Sequence, residues 1–136
     1  MNREILFKAK RKDNGEWVEG GYFSEPYTEK KFIICWNSFG LGFNEFIEVD
    51  PDTLCQYTGL TDKNGKRIWE NDICDRKEKY PEIVTYNEGD WQLDYSYVFG
   101  KEMHTDACNL GFYVCERNCV EVIGNIFDNA DLLEVE

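Results

Sequence analysis

Histidine, serine and proline are scarce in this 136-residue chain, with one His, three Ser and three Pro. A Ser–His or Cys–His nucleophile pair would have only His104 to use. Ser24, Ser38 and Ser96 lie in no Gly-x-Ser-x-Gly elbow, and no Gly-rich phosphate loop is present. The longest apolar run, Phe32-Ile33-Ile34-Cys35-Trp36, falls far short of the ~20 residues of a membrane helix. The start, Met1-Asn2-Arg3-Glu4, has no apolar signal core, and no Asn-x-Ser/Thr sequon occurs. These absences point to the cytoplasm, away from membranes. No Cys-x-x-Cys pair exists among the cysteines at 35, 55, 74, 108, 115 and 119, so they read as free thiols packed as small apolar residues. Basic residues are outnumbered 15 to 27, giving a formal net charge of −12. Phosphate neutralisation drives nucleic-acid binding, and this balance disfavours it. The local basic run Lys8, Lys10, Arg11 and Lys12 reads as a solvated strand edge.

Aromatics and strand formers are what the chain has in quantity. Aromatics make up 15% of it, too many for a disordered segment. The length suits one domain, residues 1–136, able to bury about two-thirds of its unfolded surface. Asn14-Gly15 and Asn64-Gly65 each sit between strand-like runs, and Asn-Gly is the strongest short hairpin signal. A two-residue loop at the first would set Asp13 against Glu16, Lys12 against Trp17, Lys10 against Glu19 and Phe7 against Tyr22. The Asp13–Glu16 pair is unfavourable in that register, and a longer loop would relieve it. Around the second, the same loop would set Asp62 against Arg67, Thr61 against Ile68 and Leu60 against Trp69.

Further strands are expected at Ile73-Cys74, Glu82 to Tyr86, Phe112 to Cys115 and Val120 to Ile126, with a turn at Asn87-Glu88-Gly89-Asp90. Trp91, Leu93, Tyr95, Tyr97 and Phe99 alternate with Gln92, Asp94 and Ser96, the period of a half-buried strand. Helical signals are few. Asp50 can cap a turn that has Pro51 at its first position, and Asp128 or Asn129 can cap a turn through Leu133. Phe39 to Phe43 reads as a glycine-rich loop.

One group has metal-like chemistry. His104, Cys108, Cys115 and Cys119 are separated by three, six and three residues. Zinc takes four such ligands, and residues four apart on a strand share a face, so Cys115 and Cys119 would converge if strand-borne. The spacing matches no established zinc pattern, and buried thiols with an incidental histidine are the plainer reading. Asp62-Lys63-Asn64-Gly65 resembles a calcium loop only in its first residues, because Gly is at position four and Ile73 at position twelve. No catalytic residue, cofactor-binding residue or metal ligand is assigned. The tryptophans and tyrosines could stack on bases, but on alternating strands they belong to a core.

The block Gln56-Tyr57-Thr58-Gly59-Leu60-Thr61-Asp62-Lys63-Asn64-Gly65-Lys66-Arg67-Ile68-Trp69-Glu70-Asn71-Asp72-Ile73 resembles the YopX family of phage and prophage proteins. Val120 to Leu133 and the N-terminal run Arg3 to Lys12 are also similar to it. Asn71 stands where that family usually has Gly, and Ala130 where Pro is common. The resemblance implies a mainly β fold, a small antiparallel barrel- or sandwich-like domain with one or two short helical turns. It implies no activity. The reading that follows is a phage- or prophage-derived, non-catalytic module that binds a host or phage protein in the bacterial cytoplasm, with homo-oligomers a further option through exposed strand edges. The alternatives are a nucleic-acid mimic or nucleic-acid-associated accessory protein, and a small enzyme.

Overall fold

Strands dominate the regular structure, as the strand-forming composition dictates, and their pairings are antiparallel. The computed structural model describes residues 4–36, 44–99 and 108–134. The chain divides into two compact units, Met1–Tyr57 and Thr58–Glu136. The loop from Phe39 to Phe43 lies outside the described residues, as does His104.

The first unit holds β1 (Phe7–Lys10), β2 (Trp17–Ser24), β3 (Lys31–Trp36), β4 (Asn44–Glu48) and the start of β5 (Cys55–Thr61), in the order β4-β3-β2-β1-β5. Strand β1 lies inside this sheet, paired with β2 on one side and with Cys55 and Gln56 on the other. The basic run therefore starts on an interior strand and not on a solvated edge. A single bridge between Arg11 and Val49, with Lys12 N–H donating to Glu48 C=O at 3.1 Å, bends the end of β1 toward the end of β4. The described strands form two open antiparallel sheets, and no closed barrel is among them. The inner face of the first sheet buries Ala9, Ile33 and Val49 against Phe7, Val18, Cys35, Ile47 and Leu54. The turn after β4 forms as expected: Asp50 accepts from Asp52 N–H at 3.0 Å and Pro51 opens a 3-10 turn, Pro51–Thr53.

The first Asn-Gly hairpin has a different register from the two-residue expectation. Lys10 faces Trp17, Ala9 faces Val18, Lys8 faces Glu19 and Phe7 faces Gly20. Arg11 N–H donates to Glu16 C=O at 2.8 Å, which leaves a four-residue loop. Of Asn14 and Gly15, only Gly15 has positive φ (74°), whereas a type I′ turn needs it at both central residues. Asn14 instead accepts from Glu16 N–H at 2.9 Å. In this register Asp13 pairs with Arg11 at 2.8 Å, and Lys8 and Lys10 lie over the Trp17 ring. Repulsion with Glu16 thus gives way to an ion pair.

In the second unit β5 continues beside β6 (Arg67–Trp69). The five-stranded sheet has β7 (Asp72–Asp75), β8 (Glu82–Asn87), β9 (Asp90–Asp94), β10 (Cys108–Asn109) and β11 (Glu121–Asn125), in the order β10-β9-β8-β7-β11. Its core is Ile68, Cys74, Val84, Leu93, Leu110, Val120 and Val122. The second Asn-Gly hairpin also departs from a two-residue loop: Asp62 N–H donates to Lys66 C=O at 2.7 Å, spanning three residues, with Gly65 at φ 82°. The type I′ geometry belongs to Glu88-Gly89, with φ of 52° and 82° between the paired Asn87 and Asp90.

Two strand expectations are corrected. The alternation from Trp91 to Phe99 breaks at Asp94, whose carboxylate accepts from Ser96 N–H at 2.7 Å and starts a helical turn, α1 (Ser96–Phe99). An acidic side chain that bonds the backbone two residues on competes with the ladder. Phe112 to Cys115 is helical too, within a wide turn, Phe112–Glu116, closed by Arg117 N–H on Phe112 C=O. At the C-terminal 3-10 turn, Ala130–Leu133, Asn129 holds the cap position, but its side chain accepts from Asn125 N–H instead.

Asp62 is the central polar group of the second unit. It is buried, and its carboxylate accepts from Asn64, Lys66 and Val122 N–H, each at 2.9 Å. Burial alone would raise its pKa, but the three donors, with Lys66 nearby, hold it below the ordinary carboxylate value. Stability from this group is present above its unfolded pKa and lost as pH falls through the lower folded one. Asp62→Asn turns an amide N–H toward a backbone donor and is expected to cost about 2 kcal/mol in urea unfolding at neutral pH. The deficit should shrink in acid below the carboxylate range.

Asn71, between β6 and β7, has φ 71°. Its N–H donates to Val84 C=O at 2.8 Å, and its C=O accepts from Ile126 N–H at 3.1 Å. The left-handed conformation explains why Gly or Asn suits this position. Asn71→Ala should lose about 1 kcal/mol in thermal or urea unfolding, while Asn71→Gly stays near the wild type.

Candidate interaction surface

The outer face of the first sheet carries three phenylalanines side by side. Phe23 on β2 faces Phe32 on β3, and Phe46 on β4 faces Ile34, one step along the same face. Ring centroids lie 6.4 Å apart for Phe23–Phe32, 6.3 Å for Phe23–Phe46 and 6.5 Å for Phe32–Phe46, the last two edge-on. Phe23 is 42% and Phe46 58% exposed. Antiparallel sheets with one solvated face normally alternate apolar and polar residues. The run Phe32-Ile33-Ile34-Cys35 does not alternate, because Ile33 and Cys35 point inward while Phe32 and Ile34 share the outer face. That continuous run was the sequence signal for an apolar outer face, and a core assignment of every aromatic overlooks it.

Beside Phe46 lies an open groove of about 320 Å³ lined by Arg11, Lys12, Asp13, Glu45, Phe46, Ile47 and Glu48. Its cations are already paired: Arg11 with Asp13, and Lys12 with Glu48 at 3.2 Å. Of the basic run singled out in the sequence, these two and the ring-covering Lys8 and Lys10 thus have anionic or aromatic neighbours.

The second unit contains a buried ion pair that the sequence did not signal. Arg76 Nε donates to Glu82 Oε1 at 2.6 Å, Nη1 to Glu78 at 3.1 Å and Nη2 to Cys108 Sγ at 3.2 Å, and the guanidinium stacks on Tyr113 at 4.3 Å. Glu82 is 1% exposed, and its Oε2 has no hydrogen-bond partner among the described residues. Burial raises the Glu82 pKa, opposed by Arg76 and reinforced by Glu78 and Asp94. Burial also pushes the Cys74 thiol up, far from a reactive thiolate.

The His104, Cys108, Cys115 and Cys119 group is distributed as follows. Cys108 takes the Arg76 hydrogen bond, Cys115 is exposed on the wide helical turn, and Cys119 donates to Tyr113 C=O at 3.8 Å. Strand periodicity does not bring Cys115 and Cys119 together, since Cys115 is on no strand. Among the described residues no three His, Cys, Asp or Glu side chains are placed to hold a metal ion. No helix there is long and apolar enough to cross a membrane.

The model of the YopX protein family matches residues 6–134. Among solved structures, protein EF1440 from Enterococcus faecalis is similar, at 25% identity and a TM-score of 0.57, over 98% of this chain and all of that one. No curated protein matches.

The raised Glu82 pKa makes a signed prediction. The folded state holds this proton more tightly than the unfolded chain, so Glu82's contribution is most favourable below its unfolded pKa and is lost as pH rises through the folded one. Glu82→Gln has no such titration. Its stability relative to wild type, from denaturant curves between pH 4 and 8, should therefore increase with pH.

Proposed function

The chain belongs to the YopX family, and on that basis we propose that it works by binding another protein, without catalysis, in the cytoplasm of a bacterium carrying the phage or prophage that encodes it. The carrying observation is the aromatic face on which exposed Phe23 and Phe46 meet half-buried Phe32. Three rings in contact on one sheet face form the kind of aromatic cluster that anchors protein interfaces, because each buries a large apolar area with little loss of side-chain freedom. Charged residues flank it on β4 and the first hairpin loop, in the manner of a polar rim.

The test is affinity capture from host and phage-infected lysates with the wild type and with Phe23→Ser/Phe46→Ser. Both positions are exposed enough for the fold to tolerate the change, which a melting curve checks. We expect a stoichiometric partner on the wild type and at least a tenfold loss on the variant, since an anchoring aromatic contributes on the order of 2 kcal/mol. No partner on the wild type, or equal recovery by both proteins, overturns the reading. Sedimentation of the two proteins shows whether the same face pairs with a second copy.

A further inference from the structure

An open cavity of about 390 Å³ in the second unit is lined by Asn71, Ile83, Thr85, Asp94, Ser96, Tyr97 and Ile126. Ile83 and Asp94 are direct cross-strand partners on β8 and β9, so their side chains share a face. Thr85 stands two residues along on that face. The break of β9 at Asp94 turns the chain and puts Ser96 and Tyr97 on the cavity wall. Left-handed Asn71, tied to Val84 and Ile126 through the backbone, completes the rim.

The chemistry of this wall is specific. Ile83, Ile126 and the Tyr97 ring are apolar. Asp94 is its only charged residue, and no Lys or Arg pairs with it among the described residues. One carboxylate oxygen accepts from Ser96 N–H, and the other takes no hydrogen bond from the described residues. The hydroxyls of Thr85 and Ser96 are further acceptors. Residues 58–136 carry 17 Asp and Glu against 8 Lys and Arg, a field that draws cations.

We propose that this cavity receives a lysine side chain of a partner polypeptide. Its methylenes would lie on Ile83, Ile126 and the Tyr97 ring, and its ammonium would meet the free oxygen of Asp94. An ammonium has three rotatable donors and suits one carboxylate oxygen with scattered hydroxyls. A guanidinium favours a fork across both oxygens of a carboxylate, and here Ser96 N–H competes for one of them. Long cationic side chains bury their stems and keep the charged end at a polar site. The site goes beyond the aromatic face and rests on different residues.

The test is a ¹H–¹⁵N NMR titration of the full chain with the capped tripeptide acetyl-Ala-Lys-Ala-amide. Comparison probes are its Nζ-acetylated form, acetyl-Ala-Arg-Ala-amide and n-butylamine. The lysine peptide should give saturable shifts at Ile83, Thr85, Ser96, Tyr97 and Ile126. Binding should weaken about tenfold or more on acetylation, and equally in Asp94→Asn, which keeps the acceptor for Ser96 N–H. The arginine peptide and n-butylamine should bind more weakly than the lysine peptide. Absence of saturable shifts, equal binding of the acetylated peptide, or an unaffected Asp94→Asn overturns the proposal. Arginine bound as tightly overturns the lysine assignment, and n-butylamine bound as tightly reassigns the site to free amines. Phe46→Ser should leave this titration unchanged, so a failure of the aromatic-face reading and a failure here are seen separately.

Discussion

Three backbone N–H groups converge on one buried carboxylate, Asp62, and the second unit is organised around that requirement. Two of the donors, Asn64 and Lys66, belong to the hairpin loop that Asp62 opens. The third, Val122, lies sixty residues later on β11. One side chain therefore fixes a local turn and a long-range strand position together. Lys63 N–H on Val120 C=O, and its ammonium 3.7 Å from Glu121, hold the same two segments in the same register. Val120 and Val122 can then enter the core with Ile68 and Cys74. A carboxylate at this depth is tolerated because it accepts several donors. Without them, desolvation would force a proton onto it.

Glu82 shows the opposite balance. It is buried as completely as Asp62, but its satisfied oxygen depends on one arginine and the other has no partner among the described residues. The donors decide which way each pKa moves: lowered at Asp62, raised at Glu82. Arg76 is held by two carboxylates, a thiol and an aromatic face, so its charge is well compensated. Buried pairs of this kind contribute little net stability against an apolar substitute, yet breaking one partner leaves a charge stranded. The pair is better understood as fixing the loop after β7 against β8 than as a source of stability.

How much of this was legible follows from the range of each signal. Asn-Gly located both early hairpins, because the need for a left-handed residue is local. The loop lengths were not legible, because they depend on whether Asn as well as Gly adopts positive φ. In both loops Gly alone does, and charge pairing between Arg11 and Asp13 favours the longer first loop. Glu88-Gly89 has the I′ geometry although Glu is a poor residue for it, since β8 and β9 pair right up to Asn87 and Asp90. The capped turn at Asp50-Pro51 was readable because cap, proline and first donor lie within three residues. The alternation through Tyr95, Tyr97 and Phe99 misled, because period two says nothing about an Asp that captures the backbone N–H two residues on.

The same limit applies to the candidate surfaces. Phe23, Phe32 and Phe46 lie on three strands and become neighbours only when β2, β3 and β4 pair in register. Ile83 and Asp94 meet only through the β8–β9 pairing, and Ser96 reaches them because the strand ends where it does. The residue that spoils the strand pattern is thus the one that places a carboxylate beside an apolar wall. In the hairpin that identifies the family, Asp62 is buried and its carboxylate is committed to holding register through three backbone donors. Groups able to bind something else lie where the local rules are incompletely satisfied: rings on a sheet face that alternation would make polar, and an aspartate with one oxygen bound to the backbone and the other without a partner among the described residues.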